Sequence, residues 1–239
     1  MALLEVAELT KDFGGLRAVS RLSFAVEPGE ILGLIGPNGA GKTTVFNLVT
    51  GFHRPSTGRV LLDGRSVLGL KPHAVTWRGI ARTFQIVKPF PKLSVRENVT
   101  LAAFMRLPAR RAAEAEAERV LADVGLAAKL DSPASELTLG EQKRLEMARA
   151  LATRPKLLLL DEPLGGLNPR EVDDASRLIR AIRDGGVTIV LVEHVMKAIM
   201  RISDRVVVLH HGEKIGDGPP DQVVRDPGVV AAYLGRREP

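Results

Sequence analysis

The chain has 239 residues, of which 45% are hydrophobic and 26% charged, with a net charge of +6 and no cysteine. This is the composition of a globular protein, and it excludes a disulfide framework, thiolate chemistry and a Cys-based zinc site. No apolar run approaches the ~20 residues of a bilayer span, no signal-peptide pattern follows Met1, and a 4% aromatic fraction with dispersed basic charge (Arg110-Arg111 and Arg236-Arg237 among its doublets) gives no base-stacking platform for nucleic acid.

Residues 4–9, 22–26 and 59–62 read as short strands between Gly and Pro punctuation, with a turn at Asp63-Gly64. Among them the apolar run Ile31-Leu32-Gly33-Leu34-Ile35 leads into Gly36-Pro37-Asn38-Gly39-Ala40-Gly41-Lys42-Thr43-Thr44, then into Val45-Phe46-Asn47-Leu48-Val49. That order of strand, glycine-rich loop and helix fits G-x-x-x-x-G-K-[ST]. Its glycines let backbone N–H groups converge into an anion-binding nest, and the positive end of the helix dipole points at the same place. Lys42 is placed for the outer phosphates and Thr43 for Mg²⁺. The chain is expected to bind a nucleoside triphosphate.

Gln85 follows a strand at Ala81-Arg82-Thr83-Phe84. Its amide can touch both Mg²⁺ and an attacking water. From about Ser94 the texture becomes helical: residues 96–107 and 109–124 are rich in Ala, Glu and Arg, and an inserted helical subdomain is expected over roughly 88–155. Within it, Leu137-Thr138-Leu139-Gly140-Glu141-Gln142 precedes a helical run over 143–152, offering a hydroxyl, a glycine N–H and a helix start as a second anion site. One nucleotide in one pocket does not need two such sites. A head-to-tail dimer does, with each Thr138/Gly140 segment closing over the partner's P-loop.

Leu157-Leu158-Leu159-Leu160-Asp161-Glu162 is a buried strand delivering two carboxylates to its C-terminal edge, where α/β sheets bind ligands. Asp161 is expected to hold Mg²⁺, and Glu162 to orient or deprotonate the attacking water. Strands over 156–160 and 188–192, with a helix over 169–183 between them, form a βαβ unit. His194 ends the second of these, where an imidazole can bond a γ-phosphate. A strand over 205–209, a turn at His211-Gly212-Glu213 and two short helices over 220–234 complete the reading.

Taken in order, Gly36 to Thr44, Gln85, Leu137 to Glu141, Asp161-Glu162, Gly165-Gly166-Leu167-Asn168 and His194 resemble the motif set of ATP-binding cassette (ABC) ATPases over essentially the whole chain. The resemblance implies an α/β P-loop NTPase fold in a single ABC ATPase domain, with a nucleotide-binding core and antiparallel β-subdomain over 1–87 and 156–239 and a helical signature subdomain over 88–155. It also implies roles. Phe13 matches the aromatic that stacks on adenine, Leu137 to Glu141 the signature, Gly165-Gly166-Leu167-Asn168 the dimer-seam loop and His194 the switch histidine. The sequence departs from the common pattern at Thr138 for Ser, Leu139 for Gly, Glu141 for Gln and Asn168 for Asp. Phe13-Gly14-Gly15-Leu16, Arg82-Thr83-Phe84-Gln85, Gly166-Leu167-Asn168-Pro169 and Ala232-Tyr233-Leu234-Gly235 are similar to the branched-chain amino acid importer subfamily, whose wording urea and short-chain amide importers share.

The expected activity is therefore ATP hydrolysis with Mg²⁺, powering an importer of branched-chain or related amino acids from the inner face of the cell membrane. The expected partners are transmembrane permease subunits, a second ATPase (identical or related) and a substrate-binding protein, with no nucleic acid. Alternatives are urea or amide uptake, lipid or lipopolysaccharide transport, and a soluble ABC ATPase acting on DNA, ribosomes or cofactor assembly. A kinase lacks use for the Thr138/Gly140 segment, and a GTPase would carry an Asn-Lys-x-Asp segment that is missing.

Overall fold

The computed structural model describes residues 1–234; Gly235 and the Arg236-Arg237 doublet lie outside the described residues. Strands β1 (Leu4–Phe13) and β2 (Leu16–Val26) form a hairpin that joins β4 (Thr57–Leu62) and β5 (Arg65–Ser66) in an antiparallel sheet of order β2-β1-β4-β5. The hairpin runs longer than the apolar pattern indicates. Its distal rungs are polar, and Asp12 faces Arg17 across the strands in a 2.8 Å ion pair. Cross-strand pairing extends a ladder where burial alone gives no signal. Asp63 (φ +49) and Gly64 (φ +70) make the expected turn between β4 and β5.

The second sheet has the order β10-β9-β3-β8-β7-β6, with β3 (Ile31–Ile35) near its centre. Strands β6 (Ile80–Arg82), β7 (Leu157–Asp161), β8 (Thr188–Val192) and β9 (Arg205–His210) run parallel to β3, while β10 (Glu213–Gly218) returns antiparallel. Both faces are covered, so these strands are continuously apolar. The period of two still sorts them. Leu32, Leu34, Leu157, Leu159, Val190, Val192, Val207 and Leu209 enter one core with the antiparallel sheet and Phe46 of α1 (Lys42–Val49). Ile31, Ile35, Leu158, Leu160, Ile189, Leu191, Val206 and Val208 enter another, against Ala175 and Ile179 of α6 (Pro169–Asp184) and Ile199 of α7 (Met196–Ile202).

A third core is helical. Val95, Val99 and Ala103 of α3 (Val95–Ala103) meet Ala113, Ala117 and Leu121 of α4 (Arg110–Asp123) and Leu145, Ala148 of α5 (Leu139–Leu151). Spacings of three and four put each set on one helix face. Residues 104–107, expected as helix, continue α3 only as tight turns before Pro108, consistent with the restriction a proline places on what precedes it. Two helices go unannounced in the sequence, α2 (Pro72–Arg78) and α7. At seven residues each, they span too few turns for a periodic signal. Helices α8 (Pro220–Val223) and α9 (Pro227–Leu234) lie at the C-terminal end, and no helix among the described residues is long and apolar enough to cross a membrane.

Candidate functional site

The parallel strands β3, β7 and β8 all end at one sheet edge, and their C-terminal residues bring together groups far apart in sequence. A cleft of about 930 Å³ opens there, lined by Phe13, Asn38, Gly39, Ala40, Gly41, Lys42, Thr43, Thr44, Gln85, Glu162 and His194. Gly36 and Pro37 lie under it. The loop after β3 needs its glycines. Gly36 has φ +153, and a Cβ there would stand 2.2 Å from the Leu209 carbonyl; Gly41 has φ +103, and a Cβ would stand 2.5 Å from the Ala18 carbonyl. Gly41 directly precedes α1, so the first N–H groups of that helix face the cleft without a side-chain cap. Lys42 Nζ folds back to donate to the carbonyls of Gly36 at 2.7 Å and Pro37 at 2.9 Å. Burial holds its pKa below the usual lysine range, against the opposing pull of Glu162 and Asp161.

Glu162 leaves the end of β7 in the left-handed region, φ +49. A non-glycine residue there costs on the order of 1–3 kcal/mol and persists only where surroundings hold it. The surroundings are specific. Gln85 Nε2 donates to Glu162 Oε2 at 2.8 Å, and His194 Nε2 donates to Oε1 at 2.7 Å. The Glu162 N–H donates to the Val192 carbonyl at 2.9 Å, and the Lys143 ammonium reaches the Glu162 carbonyl. One carboxylate, flanked by an amide and an imidazole, thus overlooks the phosphate-type nest. That arrangement can orient a water molecule and accept its proton.

Asp161 is buried and takes the Arg82 guanidinium, Nη2 to Oδ2 at 2.7 Å. Arg82 also donates through Nη1 to Asn47 Oδ1 at 2.6 Å and stands within 5.1–6.0 Å of the rings of Phe46, Phe52 and Phe84. Its Nε is buried without a partner. Sequence reasoning passed over Arg82 because nothing local marks it; its partners lie 35 and 79 residues away. Thr43, Gln85 and Asp161 all line a second cleft of about 530 Å³ that adjoins the first. These are hard oxygen donors of the kind that suit Mg²⁺ when phosphate and water oxygens complete the shell. Among the described residues, no cluster of three or more His, Cys, Asp or Glu could hold a metal by itself.

The signature segment is elsewhere. Thr138 and Gly140 with Glu141 line a separate cleft of about 200 Å³. Thr138 N-caps α5 in a reciprocal box: its hydroxyl accepts from Glu141 N–H at 3.3 Å and the Glu141 carboxylate accepts from Thr138 N–H at 2.9 Å. These bonds, with Lys129 nearby, keep the Glu141 carboxyl below its ordinary pKa. Leu139 does not disturb the turn. It begins α5 in regular conformation and extends its side chain towards Gly166. Asn168 is engaged likewise, accepting from Glu171 N–H at 3.0 Å as the N-cap of α6. Thr138, Gly140, Glu141 and Asn168 are therefore not joined to the P-loop cleft within one chain.

Two further residues escape motif reading. His211, at the β9–β10 turn, lines the main cleft with Arg17 and Ala18. Tyr233 on α9 lies close to Gly36, and burial pushes its phenol up to about 12.

Comparison with known proteins agrees with this geometry. The ABC transporter family model matches residues 19–165, and a model described as branched-chain amino acid ATP-binding cassette transporter matches residues 213–239. The chain is 43% identical to the high-affinity branched-chain amino acid transport ATP-binding protein BraF of Pseudomonas aeruginosa, over 98% of both chains. It is 42% identical to the corresponding protein LivG of Escherichia coli K12, again over 98% of both. Among solved structures, a nucleotide-free ATP-binding cassette from an ABC transporter superposes with a TM-score of 0.90 at 28% identity, covering 98% of this chain and 100% of that one. The ADP conformation of MJ1267, an ATP-binding cassette of an ABC transporter, gives a TM-score of 0.90 at 29% identity, covering 98% and 99%.

Proposed function

The chain belongs to the ABC transporter family of ATP-binding proteins, and on that premise we propose that it is the ATP-hydrolysing subunit of an importer for branched-chain or related amino acids. The observation that carries the catalytic part is the Glu162 carboxylate, held between Gln85 and His194 over the P-loop cleft. The cargo reading is supported by likeness to BraF and LivG over nearly the whole chain and by the C-terminal family match.

In this reading Phe13 stacks on adenine, and the N–H groups of Asn38 to Thr44 hold the phosphates. Lys42 exchanges the Gly36 and Pro37 carbonyls for phosphate oxygens. Thr43, Gln85 and Asp161 are the residues that would hold Mg²⁺, which when bound neutralises phosphate charge. Glu162 orients water and takes its proton. His194, freed from Glu162, bonds the γ-phosphate. Thr138, Gly140, Glu141 and Asn168 face a partner's nucleotide in a two-fold dimer, since within the chain they lie off the cleft.

Transmembrane permease subunits are the remaining partners, which would hold the protein at the inner face of the membrane and receive cargo from a binding protein. Phe52, Phe84, Ile86 and Phe90 are exposed around the Gln85 loop, with Trp77, Leu101 and Phe104 also exposed. A cluster of large apolar groups at one surface marks an interaction face. ATPase activity of the co-purified complex tests the whole reading. Stimulation by a binding protein loaded with leucine supports it, whereas stimulation only by urea, an amide or a lipid transfers the engine to another cargo. Lys42→Ala should raise the nucleotide Kd by calorimetry at least about tenfold, as expected for loss of a charged contact of ~1.5–3 kcal/mol.

A further inference from the structure

We propose that Lys143 is a positioning residue for hydrolysis, fixing the catalytic carboxylate of Glu162 and linking it to the helix that begins at Thr138. The inference rests on the ATPase reading above. Lys143 lies on α5 and is 8% exposed. A lysine so buried is uncommon, because its charge loses solvation. Burial accordingly lowers its pKa, with the carboxylates of Glu193 and Glu162 acting in opposition. Its Nζ donates to the backbone carbonyl of Glu162 at 2.7 Å. Beyond Asp161 the β7 ladder has ended, so this carbonyl has no strand partner; the Gly165 N–H approaches it only at 3.3 Å. Lys143 therefore holds the peptide that follows a residue in left-handed conformation. That bond fixes the ψ angle of Glu162, and so the path of the chain that leaves the residue whose side chain meets Gln85 and His194.

A second buried group braces the same region. Glu193 is 2% exposed, and its carboxylate accepts from the N–H groups of Leu164 at 2.5 Å, His194 at 3.0 Å and Val195 at 3.3 Å. Lys143 and Glu193 together fix the segment that follows the reacting carboxylate, at the Glu162 carbonyl and the Leu164 N–H, and Glu193 also holds the backbone of His194. Lys143 follows Thr138 by five residues, roughly 7.5 Å along a helix axis. Helix α5 is thus a short rod with the partner-facing segment at one end and the Glu162 carbonyl against its side. A tilt of α5 when Thr138 engages the neighbour's phosphate would move Glu162, so each site would sense the other.

Lys143→Met keeps an apolar stem and removes the donor. Its kcat should fall about 10- to 100-fold while nucleotide Kd by calorimetry changes less than about threefold, the signature of misplaced chemistry rather than lost binding. Lys143→Arg, which can still donate a charged hydrogen bond to the carbonyl, should recover most of the rate. In a Glu162→Gln background, Lys143→Met should cost less than about twofold more in single-turnover rate, because the two residues act as one unit. An undiminished kcat in Lys143→Met, an equal loss in both backgrounds, or no recovery in Lys143→Arg overturns the proposal. Should Lys143→Met fail to fold by circular dichroism, Lys143→Leu, which likewise carries no donor, replaces it, with a loss of rate as the supporting outcome and wild-type kcat as the overturning one. The wild-type chain measured alongside separates the two readings: if it does not hydrolyse ATP the ATPase reading fails, and if it does while Lys143→Met is equally fast only this inference fails.

Discussion

At the scale of single residues, the two carboxylates of the site are held by partners distant in sequence, Asp161 by Arg82 and Glu162 by Gln85 and His194. Glu162→Gln leaves a side chain that still fits between Gln85 and His194 but cannot accept a proton. Calorimetry should show nucleotide affinity within about threefold of wild type, and steady-state turnover should fall at least about 100-fold, the lower end of the range for loss of a general base. Wild-type turnover would remove the role assigned to Glu162. Arg82 poses a different problem. Its ion pair with Asp161 is 7% and 3% exposed. Arg82→Met leaves a buried carboxylate alone, and urea denaturation of the nucleotide-free protein should show a loss of about 3–5 kcal/mol. The aspartate then has to be neutralised by a bound cation or by a proton, so the variant should regain part of the loss on adding Mg²⁺ with nucleotide.

At the scale of elements, α4 is tied to the segment that follows α5 within the helical part of the chain. Glu116 accepts from Arg154 at 2.8 Å and from Arg119 at 2.7 Å, which pull its carboxyl down to about 2. The ordinary value is 4.5, so the folded carboxyl binds its proton less readily than the unfolded one. The contribution is fully present above about pH 4.5 and is lost as pH falls towards about 2. The shift corresponds to about 3 kcal/mol at most, discounted to roughly 1–2 because Arg119 and Arg154 are 59% and 53% exposed. Glu116→Gln should therefore lose about 1–2 kcal/mol at pH 7 in urea titrations and flatten the stability profile between those limits. At the P-loop, the element is set by backbone shape. Gly36→Ala places a methyl against the Leu209 carbonyl, so β9 or the loop must shift. Nucleotide affinity should drop with far-ultraviolet circular dichroism unchanged.

At the scale of the whole molecule, the proposed dimer rests on two clefts that do not meet within one chain. The cleft at the P-loop and the one at Thr138 are lined by different residues. Glu162→Gln, expected to bind ATP without turning it over, should double in mass on light scattering when ATP and Mg²⁺ are added. Adding Thr138→Val should abolish the doubling. Thr138→Ser, which keeps the helix cap, should restore it, separating a contact with the neighbour from a loss of the cap worth about 1 kcal/mol.

The sequence by itself determined the P-loop, the acidic end of β7 and the apolar runs that form β3, β7, β8 and β9. Those signals are local: a nest needs consecutive N–H groups, and a buried parallel strand needs consecutive apolar residues. The seven-residue helices α2 and α7 stayed hidden because so few turns leave no period to read. Only the tertiary structure brought Gln85, Glu162 and His194 onto one carboxylate, across 77 and 32 residues of chain. Only it paired Arg82 with Asp161 and seated Lys143 on the Glu162 carbonyl. Such contacts depend on strand order and register, which set where each strand ends, and on the packing of α5 against that edge. A one-dimensional pattern places a residue on an element, but the sheet decides what it faces.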